Sequence, residues 1–297
     1  MRQKRRKIIP RKLKIALRFI ALFILISSHQ SCFRFRMSDK KSMELFKQYQ
    51  VNNSIDYFQP SNTDYKVRVV STSANKPMDT AVFFIHGAPG AADGYYEYLK
   101  DSALLERAAL YTIDRPGYGY SRFGKAVTSI EEQTRIVAEI IESLEQENVI
   151  VVGHSFGGPI AAYSSLKSDK VKAVLMLAPA IDPENEKVFW FAYVAKWRLT
   201  KWMVPGALGV AGDEKFTHVK ELKKIRDNWM NVRVPVVHIH GTKDVVVPFD
   251  NVSFTKENFN QDYLRVIELE GENHFLPWAR KELVTREILK LLQAGVQ

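Results

Sequence analysis

The sequence predicts an α/β fold with a mostly parallel sheet, and three observations carry that expectation. Apolar, β-branched runs recur along the chain, separated by segments of helical spacing. One run, "AVFFIHG" at 81–87, is apolar on both faces, as a strand covered by helices on both sides must be. Another, "VIVVGHS" at 149–155, ends in glycine and serine and passes directly into the helix-like "GGPIAAYSSL". Strand-to-helix units of this kind build parallel sheets.

The regular pattern is expected from about residue 43. "KVRVVS" (66–71) reads as a strand and "AVFFIHG" as a buried one, while "GYYEYLKDSALLERA" (94–108) has helical spacing. "ALYTID" (109–114) is a strand again. "SIEEQTRIVAEIIESLEQ" (129–146) is an amphipathic helix: Ser129 can cap it, Glu132 completes a capping box, and Ile136, Ile140, Ile141 and Leu144 share one side. After the serine turn come the strand "VKAVLMLAP" (171–179), the strand "VPVVHIHG" (234–241), a helix-like segment, the strand "YLRVIELEG" (263–271) and a closing helix, "ARKELVTREILKLLQ". The hydrophobic fraction of 46% over 297 residues is enough for a sizeable core.

The stretch 183–233 interrupts this alternation and is far longer than a crossover helix requires. It holds four of the five tryptophans, Trp190, Trp197, Trp202 and Trp229, with Phe189, Phe191, Tyr193 and Met203 among them. It reads as an inserted helical lid, which divides the core into 43–182 and 234–297. Phe189, Trp190, Trp197 and Trp202 are candidates for lining an apolar substrate pocket, with plain packing of lid on core as the alternative. Lys187, Lys196, Arg198 and Lys201 interleave with them, a pattern that also suits contact with an anionic membrane surface.

The formal charge of +10 has a local origin. Residues 1–41 hold thirteen Lys and Arg against one acid, Asp39, and the remainder holds 30 basic and 32 acidic side chains. The body therefore offers no case for nucleic-acid binding. The leader, 1–42, joins its basic start to a short apolar run, Phe19 to Ile26. That run falls well short of the roughly 20 residues of a membrane span and suits an export signal. Three readings compete: an export signal, cleaved or retained; a lipoprotein signal with Cys32 lipidated, poorly matched because His29 and Gln30 precede it; or a start at Met37 or Met43, which would leave a cytoplasmic protein. The first two place the chain at the cell envelope, periplasmic or membrane-tethered. With Cys32 alone, no intrachain disulfide can form.

The chemistry centres on Gly153-His154-Ser155-Phe156-Gly157. This G-x-S-x-G pattern is weak alone, but between strand and helix it marks a sharp turn that exposes a strained serine. Gly153 and Gly157 avoid clashes there, and Gly158 lets the helix pack close. A serine nucleophile needs a base and an orienting acid. His274 follows the last strand in "ELEGENHFLPW". His238 and His240 belong to a strand, and His218 to the lid. Asp244 follows the strand before in "HGTKDVVVP", with Asp182 in "APAIDP" as the rival acid. In "FFIHGAPG" (83–90), Ala88 can present a backbone N–H which, with that of Phe156, forms an oxyanion hole. His86 reads as an anchor of that loop, and "DRPGYGYS" (114–121) as a turn shaping the edge of the site. Neither a metal site nor a cofactor loop is apparent.

"HGAPG", "DRPGYGYS", "GHSFGG", "GTKDVVVP" and "GENH" stand in the order and spacing of the α/β-hydrolase superfamily, serine-nucleophile branch, which 65–295 resembles. The resemblance implies an eight-stranded sheet, a lid after the sixth strand and a Ser155–Asp244–His274 triad. A serine at 155 excludes the haloalkane dehalogenases and epoxide hydrolases, which need an aspartate there. "HGAPG" is similar to the loop of proline iminopeptidases, while "GHSFGG" looks more like esterases and haloperoxidase-type members. The expected activity is hydrolysis of a small, apolar carboxylic ester, thioester or lactone. An amidase or aminopeptidase is the alternative, and a non-catalytic binding protein on the same scaffold is the alternative of another class.

Overall fold

The computed structural model describes residues 36–74, 76–186, 204 and 206–294. Residues 35–297 form one compact unit. Its sheet has eight strands: β1 (Asn52–Phe58), β2 (Val67–Ser73), β3 (Thr80–Ile85), β4 (Ala109–Ile113), β5 (Asn148–His154), β6 (Val171–Leu177), β7 (Val236–Gly241) and β8 (Leu264–Leu269). The order is β1-β2-β4-β3-β5-β6-β7-β8. β2 pairs antiparallel with β1 and with β4, and every other pairing is parallel. The turns that leave β3, β5, β6, β7 and β8 therefore share one end of the sheet.

Alternation along the strands divides the core into two layers. Ala81, Phe83 and Ile85 of β3 face one cluster, with Ile136, Ile140 and Ile141 of α2 (Ile130–Glu142) and Ile160 of α3 (Gly157–Ser164). Val82 and Phe84 face the other, with Phe46 of α1 (Asp39–Gln48) and Ile288 and Leu291 of the closing helix (Lys281–Ala294). β3 is buried at every residue because helices cover both of its faces.

Three expectations change. Regular structure begins at α1, ahead of residue 43, with Ser38 accepting from Lys41 N at its start. The helix expected over 94–108 is three pieces, a 3-10 turn (Ala92–Tyr95) and two short helices (Tyr96–Leu99, Ser102–Leu105). The Asp101 carboxylate breaks it by accepting from Ala103 N and Leu104 N at 3.1 and 3.4 Å. Ser129 caps α2 through Glu132 N, but the Glu132 carboxylate binds Arg135 instead of returning to Ser129, so half of the capping box is missing.

Between β6 and β7, the described part of 183–233 includes the 20-residue α4 (Gly206–Ile225) and a 3-10 turn (Arg226–Asn231). Phe189, Trp190, Trp197 and Trp202 lie outside the described residues, as do Cys32 and nearly all of the leader. Trp229 belongs to the core: it is fully buried, stacks on Phe259 at 5.3 Å and meets Tyr163 edge-on. Among the described residues, no helix is long and apolar enough to cross a membrane.

Candidate active site

β5 runs straight into α3 through His154, Ser155 and Phe156, and the turn is held open at Ser155. That residue has φ +54°, in the left-handed region that side chains other than glycine rarely adopt, at a cost of roughly 1–3 kcal/mol. Its backbone is fixed from three directions. Ser155 N donates to Leu177 O at 3.0 Å, and Ser155 O accepts from Gly158 N at 2.9 Å and Ala180 N at 3.1 Å. Small neighbours permit this: a Cβ on Gly153 would stand 2.2 Å from Gly157 O, and one on Gly157 2.5 Å from Ile85 O.

The β3 loop abuts the serine, since a Cβ on Gly87 would meet Ser155 Cβ at 2.9 Å. His86 is tied within this loop. Its Nδ1–H donates to Gly87 O at 2.7 Å, and its Nε2 accepts from Arg115 N at 2.9 Å. Burial and the Arg115 charge hold its pKa well below the usual imidazole range, so it stays neutral. Among the described residues, neither Ala88 N–H nor Phe156 N–H donates to a protein acceptor.

Asp244 and His274 meet in the turns after β7 and β8. His274 Nδ1 lies 2.7 Å from Asp244 Oδ2. Asp244 Oδ1 accepts from Val246 N and Val247 N at 2.9 and 2.8 Å. Burial works to raise the Asp244 pKa, but the bonds from His240, His274 and Val247 N–H hold it well below the usual carboxylate range. The Nδ1–H bond leaves His274 Nε2 free to take a proton. Asp182, the rival acid, bonds to no histidine among the described residues: its carboxylate accepts from Glu184 N and Asn185 Nδ2 in a local turn. Asn273 likewise turns on itself, accepting from Phe275 N.

Ser155 and His274 are both nearly buried, and the Ser155 hydroxyl makes no hydrogen bond with His274 or any other described residue. The two segments are instead joined through His154, whose Nε2–H donates to the His274 carbonyl at 3.0 Å and whose ring lies 4.7 Å from that of His274. Burial and the neighbouring His274 push the His154 pKa down to about 3. Sequence reasoning gave His154 no role, because its partner is 120 residues away.

It also passed over Arg115. This side chain donates to His86 O and Gly87 O at 2.8 and 3.0 Å, lies 4.7 Å over the Phe156 ring, and pairs with Glu214 of α4 through both nitrogens. Gln133 and Tyr118 donate to the same carboxylate. A buried ion pair thus links the β3 loop to α4. The turn 114–121 is a structural hub, with Asp114 accepting from Ala92 N and Tyr120 N. His218, on α4, donates to Ala180 O and packs on Phe156 at 4.5 Å. A surface hollow of about 990 Å³ beside Phe58, Ser61 and Arg135 lies away from this region, and none of Ser155, Asp244 or His274 lines it.

Residues 80–200 match the model of the alpha/beta hydrolase fold family. The eight-stranded sheet, with its antiparallel start and parallel remainder, is that fold. The chain therefore has the α/β-hydrolase fold, with the family match lying over 80–200. It is 23% identical over 208 residues to a Mycoplasma pneumoniae protein assigned as esterase/lipase 3, covering 62% of this chain and 75% of that one. It is 24% identical to a Cyberlindnera fabianii protein assigned as an alcohol acetyltransferase, over 43% of this chain but only 35% of that protein. A bromoperoxidase from Bacillus anthracis superimposes with a TM-score of 0.65 at 19% identity, covering 81% of this chain and all of that one.

Proposed function

We propose that the protein is a serine hydrolase that cleaves a small carboxylic ester, thioester or lactone through an acyl-enzyme intermediate. One observation carries this reading: the 2.7 Å Asp244–His274 bond stands at the sheet end where the strained Ser155 turn lies. Ser155 Oγ attacks the carbonyl carbon while His274 Nε2 takes its proton. The imidazolium, held by Asp244, passes that proton to the leaving oxygen or sulfur as its bond to carbon breaks. Water then attacks the acyl-enzyme with His274 as base, and Ser155 leaves with the proton. The Ala88 and Phe156 amides hold the oxyanion in both steps, at about 2.7–4 kcal/mol each.

The likeness of "HGAPG" to proline iminopeptidases keeps an aminopeptidase or amidase as the second reading. The resemblance to an acetyltransferase keeps an alcohol as an alternative acceptor to water. Fluorophosphonate labelling of the wild type and Ser155→Ala, with p-nitrophenyl ester and aminoacyl-anilide assays, tests all of these. The expected result is labelling and ester turnover in the wild type and neither in Ser155→Ala. Equal labelling of both proteins overturns the nucleophile, and anilide turnover without ester turnover selects the peptidase. As part of the same reading, the basic leader exports or tethers the enzyme. The mass of the mature N-terminus separates signal cleavage, lipidation at Cys32 and a start at Met37.

A further inference from the structure

Beside Asp244, β7 carries a buried chain of hydrogen bonds that the hydrolytic steps do not use. His240 Nε2 lies 3.2 Å from Val247 O and 3.4 Å from Asp244 Oδ2, the oxygen that His274 also binds. His240 Nδ1 lies 3.0 Å from His238 Nε2, and His238 Nδ1 lies 3.1 Å from Thr255 Oγ1 on α5 (Asn251–Asn258). Both histidines are fully buried.

The acceptors set the direction of the chain. A carbonyl and a carboxylate can only accept, so His240 Nε2 carries the hydrogen. With its ring hydrogen on Nε2, His240 presents a bare Nδ1 that accepts from His238 Nε2–H at 3.0 Å. His238 Nδ1 is bare in turn and lies 3.1 Å from the Thr255 hydroxyl, whose single hydrogen it shares with Asn251 O at 2.8 Å. Burial, with the neighbouring His240 and Lys256, holds the His238 pKa well below the usual range and keeps this end neutral.

We propose that His240 is a positioning residue for Asp244, sharing its Nε2–H between Val247 O and Asp244 Oδ2, in the tautomer that these two acceptors impose. The inference rests on the Ser–Asp–His reading above. His240 and His274 approach the same carboxylate oxygen, at 3.4 and 2.7 Å, so rotation of Asp244 away from the base would cost both contacts. His240 also takes up part of the carboxylate charge, which moderates how strongly Asp244 favours a protonated base. Of the other groups facing this array, His154 on β5 is held neutral, Lys256 is paired with Glu268 at 2.7 Å, and the Phe249 ring meets His240 edge-on.

The test is the pH profile of fluorophosphonate labelling, which needs no substrate. In His240→Phe the uncompensated Asp244 keeps the base protonated to higher pH, so the acid limb should move up by about half a pH unit or more. His240→Gln, whose amide can still donate, should keep the midpoint of the wild type. A role in packing alone would lower stability without moving the limb, so coincident midpoints in folded His240→Phe and wild type overturn the proposal. Failure of the wild type to label overturns the serine reading and the proposal with it, whereas labelling abolished only by Ser155→Ala leaves that reading standing whatever His240 does. Should His240→Phe not fold, ¹⁵N spectra of the wild type decide: Nε2 protonated and Nδ1 bare on His240 is expected, and the opposite tautomer overturns the proposal.

Discussion

At the scale of single residues, the serine turn depends on atoms that are missing. A Cβ at Gly157 would press on two carbonyls of the β3 loop, Ile85 O at 2.5 Å and His86 O at 2.8 Å, and neither can swing aside as a side-chain tip could. Gly157→Ala should therefore lose roughly 1–3 kcal/mol in urea unfolding, as overpacked sites do, and should slow fluorophosphonate labelling by displacing the loop. The Asp244 carboxylate makes a prediction with a sign. Its folded-state pKa lies below its ordinary value, so its contribution to stability is full above about pH 4 and is lost as pH falls through the folded value. The melting-temperature gap between wild type and Asp244→Asn should be widest near neutrality and close in strong acid. A gap independent of pH would contradict the electrostatic account. These positions could be read because Ser155, Asp244 and His274 each follow an apolar run, and a parallel sheet gathers the ends of its strands. His154 and Arg115 could not, since a histidine clasping a distant carbonyl and an arginine bridging a loop to α4 leave no local pattern.

At the scale of elements, legibility followed burial. β3 and β5, covered on both faces, announce themselves as apolar runs. The edge strand β1 alternates between half-buried and exposed residues in "NNSIDYF", and α1 is mostly lysine and polar side chains around a buried Phe46, so neither carries a strong hydrophobic period. α4 shows both sides of this dependence. Its Glu214 is fully buried against Arg115, so Glu214→Ala leaves a charged guanidinium among His86 O, Gly87 O and the Phe156 ring without its counterion. A loss of about 3 kcal/mol or more is expected in chemical denaturation. Five residues earlier, Gly209 has no atom of the described residues within 4 Å of an added Cβ. Gly209→Ala should raise stability by about 0.5–1 kcal/mol, because alanine only relieves the cost of glycine inside a helix. Opposite signs at Glu214 and Gly209 would separate tertiary anchoring of α4 from its intrinsic helicity.

At the scale of the whole molecule, the last residues of the stretch read as leader, 36–42, are built into the compact unit. Arg68 on β2 is fully buried and reaches three parts of the fold: its Nε donates to Asp39 of α1 at 2.7 Å, its NH2 group to Ser42 Oγ and Tyr96 Oη, and its NH1 lies 3.5 Å from Asp114. Burial alone would disfavour its charge, but Asp114, Tyr96 and Asp39 together hold it ionised. Asp39 also accepts from Tyr57 Oη of β1, and Arg36 donates to Gly119 O while lying 4.6 and 4.4 Å over the Tyr120 and Phe123 rings. A chain started at Met43 would keep Phe46 but lose Asp39 and Ser42 together, leaving Arg68 with only Asp114 for its charge. A chain started at Met37 would keep both. The Met43 form should be less stable than the Met37 form by about 2 kcal/mol or more, a figure reduced from that for a wholly buried pair because the Asp39 side chain is 35% exposed. Asp39→Asn in the Met37 form should reproduce much of that loss in urea titrations. Were the two truncated forms equally stable, Arg68 would be held by Asp114 and Tyr96 alone, and α1 would be an appendage rather than part of the core that carries the site.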